Sequence, residues 1–304
     1  MDKIKKIQNL INNIRIPSYY IQNIDKVVFN EEKMNLEVEW DMKWKFSLKN
    51  KLNDLTWKEW KFATKTVINK VYPFNLQHKL RKEHWWQKPP ELCADIIKIF
   101  TKENEKVLDP FVWVWWTLLW CWLINRKWIW IDLNKKWKEI YEKVCDLEKL
   151  KKEEFKIWDS FKVLDEIDNE SIDFILTDIP YWDIDKIKHS RWKKANKSNL
   201  WSFNNEELKS KEEWINDMKK ILLKATTKLK VWKYMAVFIW DIYFNNSYHI
   251  LHADIANALS SDVLVLKSNI VWYDVSKSLH VYWYPYSYVP SLIHQNILIF
   301  KKEK

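Results

Sequence analysis

From residue 107 onward, short apolar runs alternate with longer stretches whose apolar positions recur at helical spacing. VLDPF (107–111), WIWID (128–132), FKIWD (155–159) and IDFILTD (172–178) read as strands, each closing on or near an aspartate. Between them, TLLWCWLINR (117–126) and KKWKEIYEKVCDLEKL (135–150) have the three-to-four periodicity of helices. Strands that alternate with helices pair in parallel, with helices covering both faces of the sheet. Beyond a polar Lys/Asn/Ser-rich stretch (183–210), EEWINDMKKILLKATTKL (212–229) predicts a helix, YMAVFIWDI (234–242) a strand, and residues near 248–259 another helix. NIVWY (269–273) and NILIFKK (296–302) predict a closing antiparallel pair. The fold class expected is therefore α/β, a doubly wound, mostly parallel seven-stranded sheet with a C-terminal antiparallel hairpin. Residues 1–80 form a separate, mixed and polar N-terminal segment, with helical spacing in Ile4, Ile7, Leu10 and Ile11 and strand alternation in VVFN and LEVEW. The main domain is expected over 81–304, and no internal repeat is present.

Composition changes this picture in one respect. The chain has no glycine and 23 tryptophans among 304 residues, where average usage gives roughly 21 glycines. The two anomalies are nearly equal in size, which points to tryptophan standing at glycine positions. The remainder, 47% hydrophobic and 30% charged, excludes disordered and collagen-like classes and allows a large core. A net charge of +10 favours a polyanionic partner, although a Lys-, Ile- and Asn-rich coding bias produces the same surplus. Cys93, Cys121 and Cys145 are odd in number and form no CxxC pair, which speaks for a reducing compartment and against a zinc site or disulfide framework. No run approaches 18 apolar residues, and MDKIKKIQNL has no signal-peptide core, so a cytoplasmic protein without membrane contact is expected.

In open α/β sheets, ligands bind outside the carboxyl ends of the strands. Four predicted strands end there in Asp109, Asp132, Asp159 and Asp178, which would line one polar cleft. A single such acid is commonplace as a turn or cap residue. The first loop, DPFVWVWWTLLW, becomes a nucleotide-cradling turn once small residues replace Trp113, Trp115 and Trp116. Bare backbone then approaches the ligand, and Thr117 opens a helix whose amides point at it.

With these residues the chain resembles the S-adenosyl-L-methionine-dependent amino-methyltransferases of DNA. Their DPFxGxGT loop corresponds to Asp109, Pro110, Phe111, Trp113, Trp115 and Thr117, and their D-P-P-Y tetrad to Asp178-Ile179-Pro180-Tyr181. Lys88, Pro89, Glu91 and Leu92 match their segment preceding the first strand, and the resemblance covers roughly 84–304. It implies a Rossmann-like methyltransferase sheet, S-adenosyl-L-methionine as cofactor and no metal. Asp178 and the carbonyl of Ile179 or Pro180 would accept the hydrogens of an exocyclic amine, and Tyr181 would stack on the extruded base. Asp109 and Phe111 would order the cofactor loop, Asp132 would hold the ribose hydroxyls and Asp159 the adenine amine. Lys88 and Pro89 would close over the methionine end, and His84 is unassigned.

The resemblance implies double-stranded DNA with a flipped base as partner, and adenine N6 as the target, since the tetrad opens with Asp rather than Ser. Cytosine N4 and guanine N2 of RNA are the alternatives, a cognate restriction nuclease is a second partner, and a catalytically silent nucleic-acid-binding protein is the non-enzymatic reading. Two further segments suit nucleic acid. The stretch 183–210 carries Lys186, Lys188, Arg191, Lys193, Lys194 and Lys197, and HVYWYPYSY (280–288) offers either packing aromatics or stacking groups. Glycine is expected in the natural protein above all at Trp113, Trp115, Trp116, Trp128, Trp130, Trp158, Trp182, Trp232 and Trp240, while Trp60, Trp214 and Trp272 sit in helical or strand contexts that suit tryptophan.

Overall fold

A computed structural model describes residues 5, 9, 16–38, 41–73, 88–111, 124–132, 135–150, 152, 155–157, 160–180, 182 and 210–304. Its first elements are helix α1 (Ser18–Gln22) and strands β1 (Val27–Asn30), β2 (Asn35–Val38) and β3 (Asp41–Ser47). The three strands pair in that order as an antiparallel sheet, and Tyr20, Val27, Leu36, Phe46 and Leu48 bury against one another as its core. Helix α2 (Trp57–Ala63) begins at a reciprocal cap, in which Thr56 accepts from the Glu59 amide and Glu59 accepts from the Thr56 amide.

The remaining elements are β4 (Val67–Ile68), α3 (Pro90–Phe100), β5 (Lys106–Asp109), β6 (Lys127–Asp132), α4 (Lys135–Glu148), β7 (Phe155–Ile157), α5 (Ser160–Val163) and β8 (Ile172–Asp178), followed by α6 (Lys211–Lys228), β9 (Leu229–Ile239), β10 (Ile242–Phe244), β11 (Ser247–His249), α7 (Leu251–Leu259), β12 (Leu264–Tyr273) and β13 (His294–Lys302). One sheet runs β4-β12-β13-β9-β8-β5-β6-β7. Pairing is parallel from β7 through β9, and β13 and β12 close the sheet as an antiparallel hairpin. The expected seven strands are all there, and β4 adds a two-residue eighth beside β12.

Side-chain alternation along the strands builds two cores, one on each face. Val107, Phe174, Leu176, Ala236, Phe238, Ile297 and Ile299 meet α3 and α4 through Leu92, Ile96, Tyr141 and Val144. Their sequence neighbours Leu108, Ile175, Met235, Val237, Leu298 and Phe300 meet α6 and α7 through Met218, Leu222, Leu251 and Ile255. At the amino edge, Asn53 donates to the Ile99 carbonyl (2.6 Å) and Asp54 accepts from the Glu103 amide (2.6 Å), which ties the segment before α2 to the large sheet's surroundings. Among the described residues no helix is long and apolar enough to cross a membrane.

The strand expected over 234–242 differs from the one observed. β9 starts at Leu229, directly from the end of α6, and stops at Ile239. The residues after it form the β10–β11 hairpin, whose turn residues Asn245 and Asn246 have φ of 48° and 56°. A two-residue hairpin needs that left-handed pair, and asparagine tolerates it. The following helix accordingly begins at Leu251 rather than 248. The helix expected over 117–126 lies outside the described residues but for its last three, of which Ile124 and Asn125 turn rather than continue a helix.

Between Ile172↔Leu229 and Phe174↔Tyr234 the register of β8 and β9 shifts, so the residues between Leu229 and Tyr234 bulge out of β9. Trp232 sits in this bulge with φ of 68°, a conformation that disfavours any residue with a Cβ. Trp128 is buried and its indole N–H has no partner, an omission worth about 1–3 kcal/mol. Trp272, by contrast, is packed in the core beside Ile270 and Ile297. Trp232→Gly is therefore expected to raise stability by about 1 kcal/mol, because relief at positive φ exceeds the loss of the exposed Lys301 contact to the Trp232 ring. Trp272→Ala should cost ~3–5 kcal/mol. Chemical denaturation of the two variants reads both signs, and destabilisation by Trp232→Gly would remove the strain argument.

Candidate active site

Strand order reverses between β5 and β8. From β5 the chain proceeds outward to β6 and β7, and from β8 it proceeds the other way to β9. At such a switch point the two crossover connections leave in opposite directions and open a crevice at the carboxyl edge. Asp109 ends β5 and Asp178 ends β8, so two of the four expected strand-end acids flank this crevice.

Both carboxylates are buried and held. Asp109 Oδ1 accepts from the Thr177 hydroxyl (2.7 Å) and from the Phe111 amide (3.1 Å). The second bond folds Asp-Pro-Phe back as a tight turn at the strand end, and the hydroxyl of Ser160 closes the turn on the Pro110 carbonyl (2.6 Å). Asp178 Oδ2 lies 2.6 Å from Lys88 Nζ, with both side chains under a tenth exposed. Asp178 Oδ1 accepts from Gln295 Nε2 (3.4 Å), at the start of β13. The Lys88 ammonium also lies over the Phe238 ring, 5.4 Å from its centre. Lys88 and Pro89 immediately precede α3, and the Lys88 ammonium reaches the carboxylate of the tetrad.

The turn after β8 is equally fixed. The Pro180 carbonyl accepts from the indole N–H of Trp214 on α6 (2.8 Å), and the Ile179 amide donates to the Phe238 carbonyl (3.4 Å). Trp214 is thus a partnered tryptophan, consistent with its helical context. Trp182, among the expected glycine positions, is buried and meets the rings of Phe244 and His249 edge-on. Asp132 ends β6, two residues beyond the Asp109↔Trp130 pair. Trp113, Trp115, Thr117, Asp159, Tyr181 and His84 lie outside the described residues, as does most of the basic stretch 183–210.

Several residues of this edge were not singled out from sequence. Thr177 and Gln295 reach the two carboxylates through single side-chain bonds whose partners are remote in the chain. Asp241 follows the end of β9 and is a fifth acid of the same kind, missed because the strand was read through it. It takes the His252 ring Nδ1 (2.8 Å), the His252 amide (3.1 Å) and the Tyr248 hydroxyl (3.1 Å). Burial pushes Asp241 up, but the hydrogen bonds from His252 outweigh it and hold the carboxyl below its ordinary value. Beyond β12, Lys277 packs over the Trp240 ring. Burial lowers its amine to about 7, against the pull of Asp274 and with the help of Lys88. The buried Cys93 thiol is pushed up by burial and stays protonated. Among the described residues no group of three or more His, Cys, Asp or Glu side chains could hold a metal ion.

Residues 5–143 match the model of an N6/N4 methyltransferase family described as DNA methylase. The match takes in Lys88, Pro89 and Asp109–Phe111 and the N-terminal segment from residue 5, and it ends before Asp178. No curated protein matches the chain. Solved structures that resemble it include TrmN from Thermus thermophilus (14% identity, TM-score 0.46, 70% of this chain and 48% of that one). A methyltransferase from Pyrococcus furiosus (14%, 0.44, 71% and 84%) and an rRNA methylase from Streptococcus thermophilus (11%, 0.39, 71% and 94%) are others. The chain spans about half the length of TrmN. Identities and TM-scores this low transfer no activity. The family match therefore covers the first strand-end motif with everything before it, and the chemistry of the second rests on the geometry of Asp178.

Proposed function

We propose that the chain is a DNA amino-methyltransferase that uses S-adenosyl-L-methionine and acts first of all on adenine N6. The observation that carries this reading is the pair of buried carboxylates at the switch point, Asp109 held by Thr177 and Asp178 held by Lys88. A cofactor bearing an ammonium and two ribose hydroxyls needs acceptors at the ends of adjacent strands, which Asp109 and Asp132 supply from β5 and β6. Pro110 and Phe111 order the turn beneath it, Trp113, Trp115 and Thr117 belong to its loop, Asp159 takes the adenine amine, and Pro89 shapes the methionine end. The cofactor, when bound, contributes the electrophilic sulfonium methyl. Location in the cytoplasm and contact of the N-terminal segment with DNA complete the reading.

The amino nitrogen of adenine is a poor nucleophile because its lone pair is delocalised into the ring. Asp178 counters this by accepting one amino hydrogen, and a main-chain carbonyl of Ile179 or Pro180 accepts the second. Each carboxylate oxygen has two lone pairs, so the bond from Lys88 to Oδ2 and that from Gln295 to Oδ1 do not by themselves saturate either oxygen. The Pro180 carbonyl keeps one lone pair beside its Trp214 bond. Lys88 fixes the direction of Asp178 through its bond to Oδ2, and with Pro89 it closes over the methionine end of the cofactor. Tyr181 stacks on the extruded base. After transfer, the excess proton on nitrogen passes to Asp178 Oδ and on to solvent.

We also infer that glycine occupies the expected positions in the natural protein, from Trp113 through Trp240. Strain at Trp232 and the orphaned indole of Trp128 support this for two of the nine. Trp283, outside that group, also has a positive φ, of 56°.

Three outcomes test the proposal. Made in the form with glycine at the nine positions, Asp178→Ala should abolish methyl transfer to DNA while cofactor affinity, read by calorimetry, stays within a few-fold. Retention of more than about a tenth of the rate, a loss under ~1.4 kcal/mol, would exclude Asp178 as the amine acceptor. In the same form Asp132→Ala should weaken cofactor binding, and unchanged affinity would remove its ribose role. The chain as written, expressed beside a form with glycine at the nine positions, should show the weaker thermal transition and no cofactor binding. A cooperative transition with micromolar cofactor affinity in the chain as written would overturn the glycine assignment.

A further inference from the structure

The connection between β12 and β13 presents the largest display of exposed aromatic side chains in the described structure. Tyr284, Tyr286 and Tyr288 are 80%, 86% and 86% exposed, with Val281 and Leu279 beside them. Soluble chains rarely leave a contiguous apolar patch of this kind in water unless it meets a partner. The loop is nevertheless a closed structure. The Asp274 amide donates to the Ile293 carbonyl (3.0 Å) at its base, and Ser291 bridges across it, accepting from the His280 amide (3.1 Å) and donating to the His280 carbonyl (3.0 Å). At the tip the Tyr286 amide turns back on the Trp283 carbonyl (2.7 Å). A pinned stem with a narrow tip holds tyrosines out while limiting the entropy lost when they bind.

Its place in the fold indicates what it meets. β13 runs antiparallel to β9, with Asn296 opposite Ile239, so the loop leaves the sheet at the same carboxyl edge as Asp178. Two residues past the loop's end, Gln295 is bonded to Asp178. Near the other end, Lys277 packs on Trp240 just past β9. The chain as a whole carries a net charge of +10, which favours a polyanionic partner, but the loop itself contributes flat rings and almost no charge. Rings that are exposed on their faces complement nucleobases, and only unpaired bases offer a free face to stack on.

We propose that the tyrosines of the β12–β13 loop form a stacking platform for unpaired bases flanking the target nucleotide, so that the preferred substrate is open rather than fully paired over a few nucleotides. This inference rests on the reading of the chain as a DNA methyltransferase. It is built on Tyr282, Tyr284, Tyr286 and Tyr288 and not on Trp283, whose backbone conformation suits glycine.

Fluorescence anisotropy on the full chain tests it with a labelled single strand of about a dozen nucleotides, the corresponding duplex, and a duplex with a central unpaired stretch. Tyr284→Ala/Tyr286→Ala/Tyr288→Ala should lower affinity for the strand and the opened duplex at least ~tenfold, as the loss of one or more base stacks requires. Affinity for the closed duplex should not move. The loss should be the same at low and high salt, since stacking releases no counterions, and the corresponding triple Phe variant should bind as the parent does. Equal loss on all three nucleic acids, or none, would overturn the platform. So would a triple variant that keeps its strand affinity while losing adhesion to phosphatidylglycerol vesicles or self-association in sedimentation, which would assign the patch to a membrane or a second copy. Methyl transfer and cofactor binding are measured separately, in the form with glycine at the nine positions. Tyrosine-dependent strand binding without them leaves the platform standing and the enzymatic reading fallen, and unimpaired transfer by the triple variant does the reverse.

Discussion

The buried ion pair between Lys88 and Asp178 constrains the whole carboxyl edge. Two charges removed from water are tolerated only when each satisfies the other and their remaining bonding capacity is met, and removal of one partner from such a pair typically costs about 3–5 kcal/mol. Here the pair joins the residue before α3 to the last residue of β8, and Gln295 brings β13 to the same carboxylate. Three segments far apart in the chain are therefore held in register by one side chain. The neighbouring acid, Asp109, is tied to β8 by the Thr177 hydroxyl, so the two strand ends at the switch point move as a unit. Preorganisation of this kind is what acceptor groups need if they are to orient a weak nucleophile without reorganising themselves.

The large sheet was legible because its signal is redundant. Both faces of β8, β9 and β13 are covered, so alternate residues enter opposite cores and the strands read as unbroken apolar runs. β8 has the bounds read from sequence, and α6 is displaced from its expected range by a single residue at each end, its start fixed by the reciprocal Ser210–Glu213 cap. What escaped was governed by local backbone chemistry. β9 carries a bulge where Lys230, Val231, Trp232 and Lys233 have no direct counterparts on β8, and no periodicity announces a bulge in a chain whose glycine signals are absent. The β10–β11 hairpin turns on Asn245-Asn246, a weaker signal than Asn-Gly, and was absorbed into its neighbours.

At the site the same division holds. Strand-end aspartates are visible from sequence because each sits at a change of pattern. Their partners are not, because the hydroxyl of Thr177 lies within an apolar strand and Gln295 opens another, and neither position has a motif. The polar pair Gln295-Asn296 ahead of an apolar strand was the one available cue. Both are buried, and Asn296 lies against the Asp241–His252 pair (3.5 Å from Asp241 Oδ2). A buried amide at the mouth of a strand must find a partner, and here those partners are the carboxylates of Asp178 and Asp241.

Glycine-free sequence and bound geometry meet at the backbone. A cradle for a nucleotide works by removing Cβ atoms, so that amides reach the ligand and φ can be positive. The carboxylates at the ends of β5 and β8 keep their hydrogen bonds here, and some of the tryptophans carry the strain instead. Trp232 and Trp283 hold left-handed backbone, and Trp128 buries an indole N–H without a partner. Trp214, whose N–H reaches the Pro180 carbonyl, and Trp272, within the core, show neither defect. The contrast is chemical rather than statistical. Where a bare backbone is required the indole is a liability, and where a helix or strand face is apolar it packs or bonds as tryptophan does. The residues that would act on the substrate and those that would admit the cofactor thus answer to different constraints, the first to carboxylate placement and the second to the absence of a side chain.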